Sequence, residues 1–335
     1  MINLANKQVD FALTAVQQAA MLADEIRAEM VSPALTKDDR SPVTVADFAA
    51  QAVVGYFLEL RFPEAVLVGE ENSRALQTLE QREILEKITE FVRRVIPGVT
   101  PDQVCAYIDR GDELPGDQYW TLDPIDGTKG FLRDAQYATA LAFVNQGAVE
   151  LGVLGCPALS SKLEKGEDFG GGGALLAARR GEGSWITDLK KPHSEQVFKQ
   201  VRVSDLEDPA QARIVRSFES GHTNVDQIDQ FATAFGTSAS PVRLDSQVKY
   251  ALLAAGLGEI YLRLLSSQKP DYKEKVWDQA AGMIIVEEAG GKVTDLAGKE
   301  LDFSQGRTLA SNRGVCATNM NFHSAAIRAL SEVQA

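Results

Sequence analysis

The chain has 335 residues, 44% of them hydrophobic and 24% charged, with a formal net charge of −13 at pH 7. That length exceeds one ordinary core and points to two packed units or one large layered one. The acidic balance argues against broad binding to nucleic acid or to an anionic membrane surface. An anionic substrate would need local help, from metal ions or from gathered Lys and Arg side chains.

Val9, Leu13, Val16, Ala20, Ile26 and Met30 recur at helical spacing and predict a long first helix, which Ser32-Pro33 ends. A second helix is predicted over 45–60, after Ser41-Pro42, with Ala46, Ala49, Val53 and Phe57 on its apolar side and Pro63 as its stop. Val66-Leu67-Val68 reads as a short strand running into Gly69-Glu70-Glu71, and amphipathic helices are predicted over 79–95 and 101–108. The β-rich run Tyr119-Trp120-Thr121-Leu122 then leads into Asp123-Pro124-Ile125-Asp126-Gly127-Thr128. Segments 137–144 and 149–154, around Asn145-Gln146-Gly147, read as a hairpin. The polar stretch 163–173 ends in four glycines and reads as a loop or a domain seam. Strands follow at 174–179, 183–186, 201–203 and 214–217. Helices at 224–235, 247–255 and 277–289 then alternate with strands at 241–244, 259–264 and 292–295, which argues for a largely parallel sheet. The expected fold class is α/β with an α+β N-terminal part: two β-sheets between helix layers, divided into 1–160 and 174–335.

Cys105, Cys156 and Cys316 are odd in number and match no zinc or redox spacing, so buried, reduced thiols are expected. No run of about 18 apolar residues suggests a membrane span, and the N-terminus lacks a secretory pattern. A cytoplasmic protein, with the nucleus as an option, is the expectation.

The chemistry concentrates in carboxylates. Asp123 and Asp126 stand three residues apart at a strand end, with the Ile125 carbonyl between them. Asp47 lies near a helix start, Glu70 follows a short strand, and Asp278 follows Trp277 at another helix start. Each has an ordinary alternative as a turn, a solvated loop or a residue favoured by the helix dipole. Together they suit hard cations such as Mg²⁺, which take oxygen ligands. The Gly127 and Thr128 amides, opening a helix, suit a phosphate. An anion site beside carboxylates points to metal-assisted phosphate chemistry.

Gly69-Glu70-Glu71, the Asp123–Thr128 run and Trp277-Asp278-Gln279-Ala280-Ala281-Gly282, in that order, resemble the signature set of the lithium-sensitive, magnesium-dependent inositol monophosphatase superfamily. Within it, Ser41–Gln51, Asp245-Ser246-Gln247-Val248-Lys249-Tyr250, Lys273–Trp277 and Asp302–Thr308 resemble the bisphosphate nucleotidase branch. The resemblance implies a layered αβαβα sugar-phosphatase fold and two or three Mg²⁺ ions. It implies Glu70, Asp123, Asp126, Asp278 and the Ile125 carbonyl as metal ligands, and Asp47 with Thr128 as the pair that activates water. Gly127, Thr128, Asp278, His222, Ser246, Lys249 and Arg263 would contact substrate. For Lys249 and Arg263 the side-chain chemistry alone leaves a structural role equally open. The implied reaction takes adenosine 3′,5′-bisphosphate to AMP and phosphate, and 3′-phosphoadenylyl sulfate likewise, in sulfate assimilation. An inositol polyphosphate 1-phosphatase is the alternative enzyme, and a nucleotide or metal sensor the alternative without catalysis. The expected partner is a small molecule, with no nucleic acid and no membrane, and the chain is expected to be a monomer.

Overall fold

In the computed structural model, which describes residues 2–31, 41–163, 169–217, 225–265, 269 and 271–333, the chain opens on α1 (Lys7–Met30). Asn6 starts it by accepting from the amides of Gln8 and Val9 at 2.9 and 3.2 Å. That fills two of the donors a helix N-terminus leaves open. Of the predicted apolar stripe, Val9, Leu13, Val16, Ala20 and Ile26 are buried and Met30, at its end, is half-buried. It packs on α2 (Ser41–Arg61). Contrary to the expectation that no such stretch exists, α2 is long and apolar enough by composition to cross a membrane, but 67% of its most apolar window is buried inside the fold. That is the setting of a core helix. On its other side lie α3 (Arg82–Val92) and α4 (Pro101–Asp109). Thr100 and Gln103 form a capping box that fixes the start of α4.

The first sheet holds β1 (Leu67–Gly69), β2 (Gln118–Asp126), β3 (Ala138–Asn145), β4 (Ala148–Cys156), β5 (Ala174–Arg179), β6 (Gly183–Asp188) and β7 (Lys199–Val201), in that spatial order. β1 runs parallel to β2, and the other neighbours pair antiparallel. The β3–β4 turn is the predicted one: Gln146 and Gly147 have φ of 50° and 78°, as a two-residue hairpin turn requires. The stretch 163–173, expected to be a loop or a domain seam, does not separate two sheets. Leu154 pairs with Leu176 across it, so the first sheet continues to Val201. Residues 164–168 lie outside the described residues.

The second sheet is built from β8 (Ile214–Arg216), β9 (Val242–Arg243), β10 (Ile260–Arg263), β11 (Gly291–Thr294) and β12 (Val315–Asn319), in the order β11-β12-β10-β8-β9. It is mixed rather than largely parallel. β8 runs parallel to β9 and β10, whereas β12 runs antiparallel to β10 and β11. A parallel return needs a crossover, usually a helix. The stretch between β11 and β12 holds no helix, and β12 comes back alongside its predecessor.

The remaining helices are α5 (Thr128–Leu132), α6 (Val225–Phe235), α7 (Val248–Ala254), α8 (Ala280–Glu288) and α9 (His323–Glu332). Five layers result: α1 and α2, the first sheet, α7 and α8, the second sheet, then α6 and α9. This is the expected αβαβα arrangement. Each gap has its own core: Phe11, Leu13 and Trp120 in the first, Leu154, Tyr250 and Ile284 in the middle, Phe231, Leu262 and Phe322 in the last. The three cysteines are free and buried.

Candidate active site

β2 is covered on both faces, and its residues alternate between them. Trp120 and Leu122 join the core under α1 and α2, while Tyr119 joins the middle core. Asp123 shares the face of Tyr119 and is only 2% exposed. In a regular strand Asp126, three residues on, would point to the opposite face. It does not, because the ladder slips. Asp123 pairs with Ala140 but Asp126 with Ala138, so β2 carries one extra residue, a bulge that re-aims side chains. Pro124 sits in that bulge, where no amide is required, and its carbonyl accepts from the Thr139 hydroxyl at 2.8 Å. Gly127 then turns the chain into α5 with φ of 97°. A Cβ there would lie 2.8 Å from that of Ser246.

The outcome is one cavity of about 530 Å³ lined by Glu70, Asp123, Ile125, Asp126, Gly127, Thr128, Ser246, Lys249, Arg263 and Asp278. Glu70 follows β1, Asp126 ends β2, Ser217 follows β8 and Arg263 ends β10. The cavity therefore lies at the C-terminal ends of strands from both sheets, where α/β proteins commonly bind ligands. Asp278 stands just before α8, Ser246 leads into α7 and Lys249 lies in its first turn.

Backbone carbonyls and amides hold the acids in place. The buried Gln51 side chain donates to the Glu71 and Ile108 carbonyls at 2.6 and 2.8 Å and accepts from the Glu71 amide at 3.1 Å. It fills the space a side chain at residue 69 would need, since a Cβ on Gly69 would lie 2.5 Å from its Oε1. The Gln247 amide donates to Asp126. The Gln247 side chain donates to the Trp277 carbonyl and accepts from the Gly282 amide, both at 3.0 Å. Asp126 and the segment bearing Asp278 are thereby tied together. Lys249 is buried, with its ammonium 3.3 Å from the Ser217 hydroxyl and 5.3 Å from the centre of the Tyr261 ring. Arg263 pairs with the buried Glu274 at 3.2 Å.

Crowded carboxylates resist ionising together. Burial, then Glu70, Asp126, Asp278 and Asp47, pushes Asp123 well above the usual carboxylate range. Burial and Asp126 do the same to Asp278. Glu70 is exposed as a residue, yet desolvation of its carboxyl, Glu71 and Asp126 push it up to about 7. Asp126 is raised by burial, against the pull of Lys249, the Gln247 amide and Arg263. Burial pushes Lys249 down to about 8. Burial also works against the charge of Arg263, but Glu274 prevails and holds it well above the ordinary value.

These donors fit a hard divalent cation. All are oxygens. The Glu70 and Asp123 carboxyls are close enough to influence each other's ionisation, and Asp123 Oδ1 is buried without a hydrogen-bond partner, an expensive state that a cation would relieve. Among the described residues no three His, Cys, Asp or Glu side chains are gathered tightly enough to hold an ion by themselves. Mg²⁺ commonly takes only one or two carboxylates and keeps waters.

Of the residues singled out from sequence, Asp47 is not in the cavity lining. It sits half-buried on α2, raised well above the carboxylate range by burial, then by Glu70 and Glu71. Thr128 is exposed at the cavity and makes no hydrogen bond to Asp47 in this conformation. Thr128 begins α5 and Asp47 lies within α2, and these two helices are in contact. His222 lies outside the described residues. Sequence reasoning missed Gln247, Glu274, Tyr261 and Ser217, whose roles come from partners distant in the chain.

A model of the inositol monophosphatase family matches residues 5–335. Similar proteins include 3′(2′),5′-bisphosphate nucleotidase 2 of Candida albicans, 40% identical over 98% of this chain and 97% of that protein. The 3′(2′),5′-bisphosphate nucleotidase of Oryza sativa is 39% identical over 95% and 92%, and that of Schizosaccharomyces pombe 38% over 98% and 96%. Among solved structures, the IMPase of Thermotoga maritima superimposes with a TM-score of 0.63 at 23% identity, covering 98% of each chain. CysQ of Bacteroides thetaiotaomicron gives 0.63 at 19% identity, over 95% and 99%. The last two are likenesses of fold.

Proposed function

The chain belongs to the inositol monophosphatase family, and from that premise we propose that it is a phosphatase that converts adenosine 3′,5′-bisphosphate to AMP and phosphate. We propose that it acts likewise on 3′-phosphoadenylyl sulfate. The observation that carries this reading is one cavity in which an all-oxygen acidic set and two cations, Lys249 and Arg263, stand together. The relatives named 3′(2′),5′-bisphosphate nucleotidase, at 38 to 40% identity over nearly their full lengths, support the choice of substrate.

Glu70, Asp123, Asp126, Asp278 and the Ile125 carbonyl would hold two or three Mg²⁺ ions, which when bound supply positive charge to the phosphoryl group and acidify water. The amides of Gly127 and Thr128 face the phosphate to be transferred and take up charge on its oxygens. Thr128 turns its hydroxyl toward Asp47, which receives a proton as the hydroxyl accepts one from the attacking water. The water oxygen attacks phosphorus in line with the ribose 3′-oxygen. The new P–O bond forms as the old one breaks, and the departing oxygen takes a proton to become a hydroxyl. Asp278 and Ser246 bound the nucleotide, and Lys249 and Arg263 grip its second phosphate, Arg263 with a two-toothed fork. His222 completes the nucleotide contacts in this proposal.

The test compares kcat/KM for adenosine 3′,5′-bisphosphate, adenosine 3′-phosphate and an inositol bisphosphate in Mg²⁺. Charge-assisted bonds to a phosphate are worth roughly 1.5–3 kcal/mol. Loss of the 5′-phosphate should therefore cost about tenfold or more. A preference for the inositol ester would reverse the assignment.

A further inference from the structure

Two segments that carry opposing acids are joined by a side chain that the chemistry above does not use. Arg307 lies in the irregular stretch between β11 and β12. Its guanidinium donates to the carbonyl of Gly69, the residue before Glu70. It also donates to the carbonyls of Gly111 and Glu113 at 3.3 and 3.1 Å. The same group lies 4.9 Å from the centre of the Trp277 ring, and Trp277 precedes Asp278. The backbone around it is zipped to that segment: the Val276 amide donates to the Arg307 carbonyl at 3.2 Å, and the Leu309 amide to the Glu274 carbonyl at 2.8 Å.

We propose that Arg307 is a positioning residue that sets the distance between Glu70 and Asp278, and through it the affinity for divalent metal. The inference rests on the reading of the cavity as a metal site. Only arginine has the donors to hold three carbonyls while its flat face rests on an indole. Glu70 leaves the first sheet, and Asp278 belongs to the chain that enters α8. Without a brace, each would follow its own layer. Gln51 fixes the Glu70 loop from the α2 side but does not reach Asp278. Gln247 ties Asp126 to Trp277 but does not reach Glu70. Arg307 spans the gap between those two anchors. Groups that orient metal ligands typically govern affinity by 10–100-fold.

The variant to make is Arg307→Lys, which keeps the charge and loses the fork. Metal-free wild type, R307K and D123N are titrated with Mg²⁺ by calorimetry, and the melting temperature of each metal-free protein is recorded. The expected result is a Kd for Mg²⁺ raised about tenfold or more in R307K, with a metal-free melting temperature near that of wild type. Turnover should recover most of its rate at saturating Mg²⁺, since the ligands themselves remain. Unchanged Mg²⁺ affinity overturns the proposal. So does a variant that fails to fold, or that loses metal-free stability without a change in affinity, because Arg307 would then serve the fold alone. D123N separates the two levels of the argument. If it binds Mg²⁺ as wild type does, the reading of the cavity as a metal site falls, whatever R307K does.

Discussion

Asp47 poses the sharpest question at the scale of single residues, because it is an acid held where its charge is unwelcome. It is half-buried on α2, and burial, Glu70 and Glu71 all push its pKa up. A group kept there against electrostatic cost has a use that stability does not explain. Asp47→Asn should therefore lower kcat by about 10²–10⁴, the usual worth of a positioned base. It should leave Mg²⁺ binding in place, with a melting temperature no lower than wild type, since it removes repulsion. Retention of turnover would sink the role given to Asp47 and Thr128. The acids were legible in the sequence because Pro124 and Gly127 mark the turn that gathers them. Their supports were not. Gln247 finds Trp277 across 30 residues, and Arg307 finds Gly69 across 238, distances at which no local pattern survives. His323 is lodged between the hydroxyls of Thr294 and Thr318, each 3.0 Å away, and burial and Lys292 push it down to about 4.

Among the elements, those with a clear period were legible and those without were not. The long α1 announces itself by its stripe, and the β3–β4 hairpin by Gln146-Gly147. β12 reads Val315-Cys316-Ala317-Thr318-Asn319 and is buried at every position, so it has neither alternation nor a helical face. Missing it hid the antiparallel half of the second sheet and α9 behind it. The joint between α7 and α8 can be tested through Gly282. Its Cβ would lie 2.1 to 2.8 Å from atoms of the Tyr250 ring on α7. In an open helix, alanine would be better than glycine by about 1 kcal/mol. Here the methyl must displace either Tyr250, whose hydroxyl donates to Gln279, or α8 itself. Gly282→Ala should thus destabilise by roughly 1–3 kcal/mol, as overpacking does. Activity should fall with it, because Asp278 and Gln279 lead into the same helix. A denaturant midpoint at or above wild type would contradict the close approach of the two helices.

Taken whole, the molecule stores repulsion where its layers meet. Glu70 comes from the edge of the first sheet, Asp123 and Asp126 from its second strand, and Asp278 from the chain entering the middle helix layer. Folding brings their charges together, and protons or cations must answer for it. The sign follows from the direction of the shifts. Burial, Glu71 and Asp126 raise Glu70 from 4.5 to about 7, so its contribution to stability is complete below 4.5 and lost as pH rises through 7. Asp123 and Asp278 are raised as well and act in the same sense. Metal-free protein should therefore weaken between about pH 5 and pH 7. Divalent ions bind the ionised acids and compete with those protons, so their affinity should grow over the same interval. A ligand at a hundred times its Kd adds about 2.7 kcal/mol. The rise in melting temperature on adding millimolar Mg²⁺ should accordingly be larger at pH 7.5 than at pH 5.5. Scanning calorimetry with and without the ion at both pH values measures it directly. An equal rise at both, or a larger one in acid, would mean that the acids at the layer junction are not what the ion binds.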